Sequence, residues 1–143
     1  MQYKQVEKDY FIYIEKNEKV MDTITRFCKE QGIKNAKLSG IGALKETEIG
    51  AYDVIEKEYI RKQFPSVLEL ISFEGNVTLK DNMPFIHAHV VLSNHDMQTL
   101  GGHLFETTVA AVGEFFLRVF DNDGYRELNK DVGLPCICLD NHF

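Results

Sequence analysis

Phe85-Ile86-His87-Ala88-His89-Val90-Val91-Leu92 places two imidazoles at alternate positions of an apolar run. Side chains alternate across a β-strand, so His87 and His89 leave the backbone on the same side. Ile86, Ala88, Val90 and Leu92 share the other side, and burying them fixes the register and presents both rings together. Two imidazoles so placed can chelate one divalent ion, because Zn–N bonds of about 2.0–2.1 Å let the rings converge. Hydrogen-bonded or interfacial histidines would fit the H-x-H pair as well. Gly101-Gly102-His103 adds a third ring. A turn over Ser93 to Met97 would return this segment beside the H-x-H strand, and two glycines allow a close backbone approach. Three neutral histidines with one position open are a typical catalytic-zinc ligand set. His95 falls in the expected turn and His142 near the end of the chain, so neither is assigned as a ligand.

A metal alone does not make an enzyme. Hydrolytic or lyase chemistry also needs a base, usually a carboxylate. Glu74, Asp96, Glu106 and Glu114 are candidates by chain position, and no spacing singles one out. The catalytic residues therefore stay unassigned. Ser39-Gly40-Ile41-Gly42 is too short a glycine signal for phosphate binding and reads as a tight bend at a strand end. Cys136 and Cys138 would lie about 6.6 Å apart on one face of a strand, a poor disulfide geometry. With Cys28 in a helical pattern, all three are read as reduced and mostly buried thiols.

The elements that must carry these residues are mostly strands. Asn17 is positioned to cap a helix running to about Gln31, with Val20, Ile24 and Phe27 on one stripe and Gly32 as its stop. Strand-like segments are Tyr10 to Glu15, Asn35 to Leu44, Thr47 to Val54, Val67 to Leu79, Phe85 to Ser93 and Leu134 to Leu139. Lys80 to Pro84 and Ser93 to Asp96 read as turns, and Asp121 to Gly124 ends the preceding segment. Thr107 to Phe120 fits either a helix or a buried strand. The expected fold class is α+β: one domain over residues 1–143, a mostly antiparallel sheet flanked by a few helices.

The net charge of −6 repels phosphate backbones, and Arg61-Lys62 with Lys57 is the only local basic cluster. Nucleic-acid binding by this chain alone is disfavoured. No stretch approaches the roughly 20 apolar residues of a membrane span, and the first residues lack a secretory core, so the cytoplasm is the expected location.

Four segments in order carry a family resemblance: Leu38-Ser39-Gly40-Ile41-Gly42-Ala43-Leu44, Glu69-Leu70-Ile71-Ser72-Phe73-Glu74-Gly75-Asn76, His87-Ala88-His89 and Gly101-Gly102-His103-Leu104. Together they resemble the PPC (plant and prokaryote conserved) domain, over about Tyr10 to Leu139. The resemblance implies a compact sheet domain assembled as a homotrimer, with Glu69 and Gly75 in structural positions. It also implies that His87, His89 and His103 are the metal ligands of some prokaryotic members. Plant relatives bind DNA through an AT-hook whose Arg-Gly-Arg-Pro core is absent from this sequence. The expected role is a metal-binding homo-oligomer. The alternatives are a DNA-associated module and an oligomeric scaffold holding a small ligand or a protein partner between subunits.

Overall fold

The computed structural model describes residues 1–122 and 124–139, so Asp123 of the Asp121–Gly124 segment and His142 lie outside it. The chain runs β1 (Gln2–Val6), β2 (Asp9–Ile14), α1 (Val20–Glu30), β3 (Ala36–Asp53), β4 (Glu58–Phe64), β5 (Leu68–Lys80), β6 (Met83–Ser93), β7 (Thr99–Val119), β8 (Tyr125–Asn129) and β9 (Leu134–Cys138). All nine strands join one sheet of order β1-β2-β7-β3-β5-β8-β9, with β4 on β3 and β6 bridging β5 and β7. Among the described residues, pairing is antiparallel except for a single parallel bridge between β5 and β8. The fold is the expected α+β class, but α1 is the only helix among the described residues, not one of a few.

α1 buries Val20, Thr23, Ile24, Phe27 and Cys28 against the inner face of the sheet. They share one buried cluster with Leu38, Phe73, Val90, Leu92, Phe115 and Leu117. Its C-terminus closes as expected at Gly32: with φ at +67°, the Gly32 N–H reaches Lys29 O and the Ile33 N–H reaches Cys28 O at 2.8 Å. The start differs from expectation. Lys19, not Asn17, is the N-cap residue, and it makes no side-chain cap bond. Asn17 sits at φ 71° two residues earlier, where its N–H bonds Val109 O. The capping is done from β7: Glu106 accepts the backbone N–H groups of Met21 at 2.9 Å and Asp22 at 3.2 Å. A carboxylate there satisfies orphan donors and meets the positive end of the helix dipole.

Two further expectations are corrected, an open one is resolved and one turn is narrowed. Asn35–Leu44 and Thr47–Val54 are one strand, β3, carried through irregularities between Gly42 and Leu44 and between Lys45 and Glu48 where it pairs with β7. Ser39-Gly40-Ile41-Gly42 is not a strand end but a bulge inside β3, where a Cβ on Gly40 would collide with the Phe115 ring. Thr107–Phe120 resolves as strand, because β7 needs Val109, Phe115 and Leu117 pointing inward at alternating and bulged positions. The Lys80–Pro84 turn tightens to Asp81-Asn82, both left-handed (φ 51° and 60°), as a two-residue hairpin linking right-twisted strands requires.

Candidate metal centre

β6 alternates as its hydrophobic pattern dictates: Ile86, Ala88, Val90 and Leu92 are buried, and His87 and His89 rise from the opposite face. The reversal into β7 is built by Asn94, whose Oδ1 accepts the N–H groups of Asp96 and Gln98, both at 3.0 Å. His95 is exposed in this turn. The returning strand sets His103 directly opposite His89 on β6 and opposite Gly50 on β3. The approach of β7 to β3 leaves no room for a side chain at Gly102, where a Cβ would come within 2.7 Å of Gly50 O.

The three rings converge. One ligand-capable atom from each of His87, His89 and His103 lies within 4.8 Å of the others. His87 Nε2 and His89 Nε2 are 3.2 Å apart, and the ring centroids are separated by 5.1 to 5.5 Å. Tyr59 of β4 lies over His103 at a centroid distance of 4.7 Å, and Phe105 meets it edge-on at 4.9 Å. Burial pushes the His103 pKa down to about 4, helped by His87, His89 and Arg61. Burial also lowers His87, with Arg126 and His89 adding to it. Both effects favour neutral imidazoles, the form that can donate a lone pair to a cation. His103 Nδ1 is buried with no hydrogen-bond partner among the described residues, an uncommon state for a polar atom and one that a metal ion would relieve.

Beside the rings is a cavity of about 310 Å³, lined in part by Tyr59, Phe85, His87, His103, Phe105 and Arg126. Among the acids considered as bases, Glu106 is committed to capping α1. Glu74 is the strand partner of His89, but its carboxylate pairs with Lys37 at 3.2 Å. Asp96 is exposed in the turn, and Glu114 sits opposite Ile41 and Tyr13, where β7 pairs with β3 and β2. No acid joins the imidazole cluster among the described residues. Tyr59 and Arg126 were not foreseen. Tyr59 lies in a charge-rich stretch with no strand signal, and Arg126 follows a turn with no motif around it.

The family model that matches this chain describes the Plants and Prokaryotes Conserved (PCC) domain and spans residues 1–121. The chain belongs to the PCC domain family. The PCC chain is similar to a plant- and prokaryote-conserved (PPC) protein of Pyrococcus horikoshii, at 38% identity and TM-score 0.85, over 94% of this chain and 92% of that one. It is also similar to a metal-containing protein of Archaeoglobus fulgidus, at 34% identity and TM-score 0.86, over 96% and 99% of the two chains. A "putative DNA binding protein" of Bacteroides thetaiotaomicron aligns at 26% identity and TM-score 0.94, over 98% of each chain. No curated protein matches the sequence significantly. No helix among the described residues is long and apolar enough to cross a membrane.

Proposed function

We propose that this PCC-domain chain binds one divalent metal ion, zinc in the first instance, through His87, His89 and His103. The observation that carries this reading is the convergence of the three ligand-capable atoms to within 4.8 Å. The orphaned His103 Nδ1 supports it, as does the similarity to the metal-containing Archaeoglobus protein. When bound, such an ion supplies Lewis-acid polarisation to whatever enters its open position. The chain's own contribution is to hold the imidazoles neutral and fixed between β6 and β7, with Tyr59 and Phe105 walling off His103. Elemental analysis of untagged protein is expected to find about one divalent ion per chain, lost in His89→Ala. Absence of bound metal after purification and after zinc addition refutes the reading.

Assembly of copies into a homotrimer is the second part of the proposal. Phe11, Ile41, Ile71, Val91 and Phe116 are exposed on the outer side of the sheet, and Phe11 packs on Phe116 with ring centroids 4.5 Å apart. An apolar stretch of that kind calls for a cover, and a further copy of the same chain supplies one. Sedimentation equilibrium is expected to return three times the chain mass, and a monomer at micromolar concentration removes the proposal. Duplex DNA is the weaker reading, because a net charge of −6 opposes phosphate contact. A titration at low ionic strength is expected to be flat.

A further inference from the structure

Arg126 of β8 lies beside His87 and is only 8% exposed. Its guanidinium meets neutral acceptors: Nε donates to Thr78 Oγ1, Nη1 to Pro135 O and Nη2 to Asn76 Oδ1, each at 2.8 Å. Nη2 also stands 3.5 Å from His87 Nδ1, too long for a strong hydrogen bond. No carboxylate pairs with Arg126 among the described residues. Arginine keeps its proton in proteins, so this is a buried cation without a countercharge, an arrangement that costs free energy until an anion approaches. Tying the β8–β9 hairpin to β5 explains the three neutral bonds. It does not explain why the tie is charged.

Arg126 forms part of the wall of the 310 Å³ cavity, its guanidinium carbon 5.4 Å from the centroid of the Phe85 ring, and the surrounding surface is largely apolar: Phe85, Leu104, Phe105 and Leu134. Three bonds engage three of the five N–H donors, which leaves donors for a ligand. We propose that this cavity binds a small organic carboxylate, its anionic head on Arg126 beside the imidazoles and its apolar body against Phe85, Phe105 and Leu134. A guanidinium pairs with a carboxylate in a planar fork, whereas a strongly hydrated phosphate dianion would lose its water against these apolar walls. A cavity near the lower end of the usual pocket range suits a molecule of benzoate size and excludes a macromolecule. The assignment rests on the metal-centre reading only for a second anchor, since a cation held by the histidines would also attract the head group. Arg126 lies beyond the residues 1–121 that the family model matches.

The test is calorimetric titration of the full chain, metal-loaded and chelator-stripped, with benzoate, with benzamide as the uncharged counterpart and with inorganic phosphate. Benzoate is expected to bind at least about tenfold more tightly than benzamide or phosphate, and Arg126→Gln to lose about tenfold in benzoate affinity with benzamide unchanged. Equal binding of benzoate and benzamide to the unmutated protein overturns the assignment without recourse to any variant. So do preferential binding of phosphate, absence of benzoate binding, and a folded Arg126→Gln protein that binds benzoate undiminished. Arg126-dependent benzoate binding by a chain that takes up no metal sustains the carboxylate assignment and refutes the metal centre. A metal-loaded chain that does not discriminate benzoate from benzamide does the reverse.

Discussion

His89 and His103 are direct partners across β6 and β7, with ring centroids 5.5 Å apart, and His103 is at the same time the β3 partner of Gly50. The three histidines thus gather where three strands meet, so an ion bound there would cross-link the sheet as well as hold a ligand. A ligand that binds only the folded state stabilises it by about 2.7 kcal/mol at a hundredfold excess over its dissociation constant. Zinc is therefore expected to raise the melting temperature of chelator-treated protein, and His103→Ala to abolish that rise. Scanning calorimetry reads both; an unchanged rise in His103→Ala would remove His103 from the site.

The pH dependence of the metal-free protein follows from the lowered His103 value. The unfolded chain binds this proton near pH 6.5, the folded chain only near about 4. Within that window the unfolded state holds more protons, so stability is fully present above it and is lost as the pH falls through it. Urea unfolding of chelator-treated protein at about pH 7 and about pH 4.5 is expected to show a drop that is smaller in His103→Phe. Other groups titrate in both proteins, so the difference between them isolates this histidine.

Glu106 separates a structural carboxylate from a catalytic one. It accepts the N–H groups of Met21 and Asp22, and also of its neighbour Thr107 at 2.9 Å. Glu106→Ala is expected to destabilise the fold by about 1–2 kcal/mol, the scale of a lost helix cap. Metal content is expected to stay at the wild-type level. A cap loss without metal loss, measured by urea unfolding and elemental analysis, keeps Glu106 out of the centre.

The inward stripe of β6 could be read from residue types alone, because alternating burial of Ile86, Ala88, Val90 and Leu92 leaves one register. That register, with the turn after Ser93, sufficed to bring His103 toward the pair. Glu106 could not be read as the cap of α1, since its hydrogen bonds span 85 residues of chain to Met21. Asn17 was the local choice, and tertiary contact overrode it. The bulges that let β3 run unbroken through Gly40 and Gly42 leave no local signature distinct from a turn. Arg126 depends wholly on where β8 docks, which no periodicity encodes.

Gly102 tests how tightly the centre's frame is packed. Its missing side chain admits the Gly50 carbonyl, and a Cβ at 2.7 Å from that oxygen forces β3 and β7 apart. Gly102→Ala is expected to cost about 1–3 kcal/mol, as overpacking does. The adjacent His103 is expected to shift with it and weaken zinc affinity, which a competitive chelator titration measures. Unchanged stability and affinity together would show that the strands yield at no cost.

The cysteines offer a separate check on the core. Cys28 is buried in α1, and burial pushes its thiol pKa up to about 12, so almost no thiolate exists near neutral pH. Cys136 and Cys138 are partly exposed on β9 and unpaired. Attack on a disulfide reagent requires a thiolate that the reagent can reach. Native protein near pH 8 is therefore expected to release thionitrobenzoate from Cys136 and Cys138 and to withhold the Cys28 equivalent until denaturant is added. Cys28→Ser is expected to remove only the slow phase. Rapid reaction of all the thiols in native protein would mean that α1 does not stay docked on the sheet.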